Sequence, residues 1–249
     1  MLGAVNTLSV VIPAYNESGR IERTLAAVTG YLRRHFDHWE LVVVDDGSTD
    51  DTAAVVQDFA ARDPASAGRV RLVANPKNLG KGGAVRRGVL EAALEWVLVS
   101  DADLSTPIEE LSKLAAHSGE APVVIGSRGM AASQILRRQP LYRELMGRGF
   151  NVLVQCAALP GISDTQCGFK LFRRSAAVAV FSRLTIEGFG FDVEALWLAR
   201  RLGFEIREVP VVWLDDPATK VRPLRDAWRM AGDLARVRWR HRRAPAGGA

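Results

Sequence analysis

Trp96-Val97-Leu98-Val99-Ser100 runs without a charge into Asp101-Ala102-Asp103, and this stretch decides the fold. Its apolar residues do not alternate with polar ones, the pattern of a strand buried on both faces, and the acids follow at its carboxyl mouth. Carboxylates at i and i+2 project from one edge, where core packing cannot neutralise them, so they need solvent or a cation. A divalent metal carrying a diphosphate answers that need. Oxygen ligands select Mg²⁺ or Mn²⁺, and such ions take one or two protein carboxylates together with phosphate oxygens and water. In isolation an Asp-x-Asp pair reads equally as two solvated loop acids; its neighbours separate the two readings.

Working outward, the runs Leu8 to Ile12, Leu41 to Val44, Val70 to Val73 and Val123 to Ile125 have the same unalternating character. Helical patterns lie between them. Ile21, Leu25, Val28 and Leu32 recur at helical spacing, and Thr49 or Asp50 can cap a helix carrying Val55, Val56 and Phe59. A third helix is predicted over about Gly82 to Glu95, and Pro107 suits the first position of a fourth. This alternation predicts an α/β fold with a mostly parallel central sheet flanked by helices, whose ligands sit beyond the carboxyl ends of the strands. The special sequences fall at those ends: Pro13-Ala14-Tyr15-Asn16-Glu17, Asp45-Asp46-Gly47-Ser48, Asn78-Leu79-Gly80-Lys81-Gly82-Gly83, Asp101-Ala102-Asp103 and Gly126-Ser127-Arg128. The second half predicts a strand Gly168 to Phe172, a helix Asp192 to Leu202, a strand Glu205 to Trp213 and a terminal helix from Leu224.

With 249 residues, 48% of them hydrophobic, the chain can bury a full core as one domain. Net charge is +5, but Arg222 to Arg243 holds eight arginines against Asp226 and Asp233, so the rest of the chain sums to −1. A basic cluster confined to one segment argues against a nucleic-acid partner and for an anionic membrane surface. There Arg225, Arg229, Arg236, Arg240 and Arg243 share one helical face and Leu224, Trp228, Ala231, Leu234 and Ala235 another, as in an interfacial helix; the apolar stripe could equally dock on the domain. Cys156 and Cys167 have no metal-ligand spacing, which fits a reducing compartment. No signal peptide is expected, and the longest uncharged stretch, Gly149 to Ser163, has 15 residues against the roughly 20 that span a bilayer. The expectation is a cytoplasmic protein peripherally associated with the cytoplasmic face of a membrane. Its oligomeric state is not written in the sequence.

Taken in order, these motifs resemble the family 2 glycosyltransferases of the GT-A fold, and within them the polyprenyl-phosphate sugar synthases, particularly the dolichyl-phosphate glucosyltransferase branch. The resemblance rests on Val10 to Glu17, Val43 to Ser48, Asn78 to Val85 and Asp101 to Asp103 in a donor half, about 8–130. Asp164 to Phe172 and Phe191 to Glu194 carry it through an acceptor half, about 131–221, ahead of the basic segment 222–243. It implies one nucleotide-diphospho-sugar transferase domain, a nucleotide-sugar donor and a polyprenyl phosphate acceptor. Pro13, Ala14, Tyr15 and Glu17, with Asp45 and Asp46, are then expected at the nucleotide, Tyr15 stacking on uracil and Asp45 accepting its N3 hydrogen. Tyr15 could also simply cover the sheet edge.

Lys81 in its glycine setting offers charge and close backbone approach to phosphates, although the chain lacks the Gly-Lys-Ser or Gly-Lys-Thr of a Walker loop. Arg128 is placed to grip the diphosphate bidentately, or to form an ion pair. The resemblance puts Arg143 at the lipid phosphate, with Arg148 a turn further on, and Lys220 in a loop closing over the donor. Gln166 and Cys167 are expected to support the site from a strand. Cys167 lacks the partners of a nucleophile.

A lipid monophosphate, with a second pKa near 6, is mostly dianionic at neutral pH and attacks without giving up a proton. Catalysis would then be electrostatic, through a metal held by Asp103 and Asp101 with help from Arg128 and Lys220. By the resemblance the donor is expected to be UDP-glucose or another UDP-hexose, and the alternatives are GDP-mannose as donor or a hydroxyl acceptor in glycan or cell-envelope synthesis. A sugar-hydroxyl acceptor would need a base, and Asp192 and Glu194 are the two acids placed for it. Acids are also favoured at a helix N-terminus by the dipole. The sugar-nucleotide pyrophosphorylases share this architecture but open on a glycine-rich loop absent here, and a non-catalytic nucleotide-binding scaffold would not require acids at 45, 46, 101 and 103.

Overall fold

The computed structural model describes residues 5–62, 66, 68–137, 154, 155, 158–214, 232 and 233. The predicted terminal helix, apart from Gly232 and Asp233, and seven residues of the uncharged stretch 149–163 lie outside them. Five strands stand where continuous apolar runs predict them: β1 (Thr7–Ala14), β2 (His38–Asp45), β3 (Val70–Ala74), β4 (Trp96–Val99) and β5 (Val123–Ser127). Two more, β7 (Lys170–Arg173) and β8 (Ile206–Pro210), complete a seven-stranded sheet ordered β3-β2-β1-β4-β7-β5-β8. Every pairing is parallel except those of β7, which runs antiparallel to β4 and β5.

Because successive side chains point to opposite faces, the strands feed two cores. On one face Val10, Ile12, Leu41 and Val43 meet α1 (Ile21–His35), α2 (Thr52–Arg62) and α4 (Leu111–Ala116). On the other Val11, Val42, Val44 and Val97 meet α3 (Lys81–Glu91), α5 (Arg174–Phe181) and α6 (Phe191–Arg201). The spacing read in the sequence is the buried stripe of α1: Ile21, Leu25, Val28 and Leu32 are fully buried, each stabilising the fold by about 1.5–3 kcal/mol. Asp50 opens α2, its Oδ1 accepting the Thr52 N–H at 3.0 Å. Pro107 precedes a 3₁₀ turn, Ile108–Glu110, that leads into α4.

Three boundaries differ from the sequence expectation. The third helix stops at Glu91 rather than Glu95, because side chains at the amino edge of the sheet capture its next N–H groups: Ala93 donates to Glu40 Oε1 at 2.6 Å and Leu94 to Ser9 Oγ at 3.1 Å. The strand expected over Glu205 to Trp213 is two. Pro210 ends β8 without an N–H to continue the ladder, and the chain turns away as β9 (Val212–Leu214) to pair in parallel with β6 (Gln134–Arg137), a strand not foreseen. Helix α5 was likewise not expected; it begins directly after β7, where Arg174 N donates to Glu95 O.

Candidate active site

The strand order reverses beside β1, with β2 and β3 on one side of it and β4 on the other, so the crevice beyond the carboxyl ends of β1 and β4 is where an open α/β sheet presents its ligand site. Tyr15 stands on one side, 38% exposed, just past Pro13 and the buried Ala14. Asp101 and Asp103 stand on the other. Their turn is tight: Leu104 N donates to Asp101 O at 3.2 Å, Ser105 N to Asp103 Oδ1 at 2.9 Å, and Leu104 adopts φ +48°. A left-handed leucine costs about 1–3 kcal/mol and persists where the surroundings impose it, commonly at functional sites.

Burial, and then the neighbouring Asp101, push the Asp103 carboxyl above its usual range. A cation would relieve that repulsion. Among the described residues no cluster of three or more His, Cys, Asp or Glu could hold a metal. The donor set is therefore two carboxylates of one turn, which suits a hard divalent ion completed by diphosphate oxygens and water. Lys81 Nζ reaches Asp101 Oδ1 at 2.7 Å, while Asp103 is held by the Ser105 N–H. Burial alone would lower the Lys81 ammonium, but Asp101, with Asp192 and Asp103 further off, holds it above its ordinary value. Asp101 can lie against the sheet because residue 168 is glycine: a Cβ there would fall 2.0 Å from Asp101 Oδ2.

Several expected ligands make contacts within the protein. Asp46 was expected at the nucleotide, yet Oδ1 accepts Asn75 Nδ2 at 2.7 Å and Leu79 N at 2.9 Å, and Oδ2 accepts Gly80 N at 2.8 Å. It shapes the loop that presents Lys81. The glycines of that loop were read as allowing backbone approach to phosphate, but the Gly82 N–H donates to Glu187 O at 2.7 Å and Gly83 N–H to the same oxygen at 3.3 Å. The amino end of α3 is thus closed by the segment ahead of α6. Arg128 was expected to grip the diphosphate; its fork grips Asp164, Nε to Oδ2 at 2.6 Å and Nη2 to Oδ1 at 2.9 Å, with the guanidinium 5.4 Å above the Trp213 ring. Asp164 is pinned in turn by the Arg128 N–H at 2.9 Å, and Glu208 takes the N–H groups of Ser163 and Asp164. Glu17 pairs with Arg20 at 2.6 Å. Asp45 is buried below the loop, with Ser48 N at 3.4 Å from Oδ1.

On the acceptor side, Glu194 is fully buried and accepts Thr185 N, Thr185 Oγ1 and Ile186 N. It fixes the loop before α6 and is not placed as a base. Asp192, on the first turn of α6, is buried and accepts the ammonium of Lys170, which also donates to Cys167 O. Burial raises the Asp192 carboxyl, against the opposing pull of Lys170 and then Lys81. Gln166 N donates to Asp164 Oδ1, and Cys167 is buried with its thiol pushed up by that burial and then by Asp164. Arg143, Arg148 and Lys220 lie outside the described residues.

Lys170 and Asp164 were not expected as site residues, although both lie in the motif Asp164 to Phe172 that carries the resemblance; Lys170 is also a lone charge inside the apolar run Gly168 to Phe172.

A family model described as glycosyl transferase family 2 matches residues 9–181. The chain is 36% identical over 245 residues to the dolichyl-phosphate beta-glucosyltransferase of Dictyostelium discoideum, covering 94% of this chain and 74% of that protein. It is 37% identical to the enzyme of the same name from Saccharomyces cerevisiae, covering 93% and 74%. The fold superposes with a TM-score of 0.66 and 22% identity on glucosyl-3-phosphoglycerate synthase from Mycobacterium tuberculosis, crystallised with Mn²⁺, UDP and glucosyl-3-phosphoglycerate, over 95% of this chain and 80% of that one.

Proposed function

Because this chain belongs to glycosyl transferase family 2, we propose that it transfers glucose, with inversion, from UDP-glucose to the phosphate of a dolichyl-type polyprenyl phosphate. The name shared by its relatives supports this reading, and one feature of the site carries it. Both acids that the sequence offers as a base are engaged, Glu194 by three donors and Asp192 by the Lys170 ammonium. A hydroxyl acceptor would need one of them to take its proton. A phosphate dianion needs neither.

In this reading Tyr15 stacks on the base above Asp45, and Asp46 holds the loop that brings Lys81 to the diphosphate. Asp103, with Asp101, would hold Mg²⁺ or Mn²⁺, which when bound neutralises the departing nucleoside diphosphate. Asp164 fixes Arg128 at the same crevice, where its charge adds to that of Lys81. The acceptor half, about 131–221, supplies Arg143 and Arg148 for the lipid phosphate, and Lys220 closes over the donor. The donor half, about 8–130, and the acceptor half form one domain.

Among the described residues no helix is long and apolar enough to cross a membrane. The basic segment 222–243 is proposed to rest on the anionic cytoplasmic leaflet, each arginine contributing about 1 kcal/mol near such a surface.

The test is incubation with labelled UDP-glucose, UDP-N-acetylgalactosamine or GDP-mannose, a polyprenyl phosphate and Mn²⁺ or Mg²⁺, followed by organic extraction. Label from UDP-glucose should enter the organic phase and stay out of it with EDTA. Transfer only to a water-soluble acceptor would overturn the lipid reading.

A further inference from the structure

Lys170 is an ammonium with 3% side-chain exposure, set in the wall of the site and bonded to Asp192, itself 6% exposed. A buried pair of this kind is no bargain for stability: desolvating two ions offsets their attraction, and apolar side chains of similar volume often serve as well or better. The position in the fold is specific. Lys170 is the first residue of the antiparallel strand β7, opposite Val99 of β4 and Ile125 of β5, one residue short of the Ser100-Asp101 turn. Asp192 opens α6, whose Phe191 ring lies 6.0 Å from the Lys81 ammonium.

We propose that Lys170 is a positioning residue that fixes Asp192 as an ionised carboxylate, so that Asp192 faces the substrates as a stationary charge and takes no proton during transfer. The proposal deepens the phosphate-acceptor reading and rests on it. The charged groups that face Asp192 are Lys170 from β7, Lys81 from α3 and Asp101 from the turn after β4. Burial disfavours the charged form of Asp192, and the group that directly opposes this is the Lys170 ammonium bonded to its Oδ1. Without Lys170 a buried carboxylate is left against one ammonium already shared with Asp101, and protonation becomes the easier way to balance the site.

The experiment compares the pH dependence of kcat/KM in the wild type, Lys170→Met and Lys170→Met/Asp192→Asn. In the wild type the acid limb follows the acceptor phosphate, near pH 6. In Lys170→Met it should move up by about 1–3 pH units, the shift a carboxyl shows on losing a close opposite charge, with activity recovering as pH rises. The double variant should lose that displaced limb. A merely structural lysine would lower activity equally at every pH, and a Lys170→Met profile superposable on the wild type after scaling overturns the proposal.

Carbon-13 NMR of aspartate-labelled protein, with the Asp192 carboxyl assigned through Asp192→Asn, reads the same titration without substrate. If the substrate reading fails, the wild type transfers nothing to lipid but the Asp192 resonance in Lys170→Met still titrates higher. An unmoved resonance overturns the Lys170 assignment alone. Should Lys170→Met not fold, Lys170→Gln retains a neutral donor and must show a shift of the same sign.

Discussion

Gly82→Ala is the sharpest test of how the two sides of the site are joined. A Cβ on Gly82 would stand 2.3 Å from Ile186 O, 2.7 Å from Phe191 Cβ and 3.0 Å from Glu187 O, two of the three being backbone atoms that no rotamer change can move. Overpacking of this kind costs typically about 1–3 kcal/mol, and the upper end applies where backbone must yield. Separating the seam also weakens the Gly82 N–H to Glu187 O bond, about 1 kcal/mol, while alanine in a helix returns at most about 1 kcal/mol. The net is a loss of about 3 kcal/mol, or roughly 6–12 °C in melting temperature for a chain of this size. Thermal unfolding and UDP calorimetry should be run beside Gly119→Ala, whose Cβ would meet nothing within 4 Å. If Gly82→Ala melts with the wild type but binds UDP poorly, the glycine serves phosphate approach after all and the seam argument fails.

Asp103→Ala should abolish turnover and the metal-dependent part of nucleotide binding, since a diphosphate leaving group without its cation carries uncompensated charge in the transition state; activity surviving in EDTA would remove the metal from the account. Tyr15→Ala should weaken UDP by about 5- to 150-fold, base stacking being worth about 1–3 kcal/mol, with no change in melting temperature; unaltered affinity by calorimetry would take Tyr15 out of the site. Asp164→Ala strands Arg128 and should destabilise the fold by about 3–5 kcal/mol at neutral pH. Burial raises the Asp164 carboxyl, but the Arg128 charge and the hydrogen bonds from Arg128 and Gln166 together lower it more, so the net value lies below the usual range. Its stabilisation is therefore complete above about pH 4, the unfolded value, and is lost as pH falls through the lower folded one. Urea midpoints of wild type and variant should converge only at acid pH; a gap independent of pH would refute the ion-pair account.

The parallel half of the sheet was legible because its signals are local. A continuous apolar run closed by glycine, asparagine or aspartate marks a buried strand and its carboxyl end whatever the rest of the chain does. The partners of charged groups were not legible, because they depend on distant segments meeting. Arg128 and Asp164 are 36 residues apart and Lys170 and Asp192 are 22 apart. Nothing beside Arg128 tells a fork that grips phosphate from one that grips a carboxylate, since the geometry of recognition is the same. Likewise Gly80-Lys81-Gly82-Gly83 reads alike whether a phosphate or the Glu187 carbonyl meets its N–H groups.

Strand direction is where local and distant information meet. A lone lysine in an apolar run must find a partner, so Lys170 was a signal, but which partner depends on which edge of the sheet it reaches. In an antiparallel β7 the first residue lies at the carboxyl edge of its neighbours, beside Val99 and the Asp101 turn. Were β7 parallel, that edge would receive Arg173, three residues on, and Lys170 would sit about 10 Å away at a rise of about 3.3 Å per residue. The site would then lack the charge that holds Asp192. The single reversed strand is therefore what turns a buried lysine from a packing liability into part of the active-site wall, and a sequence pattern of period and composition carries no sign of that direction.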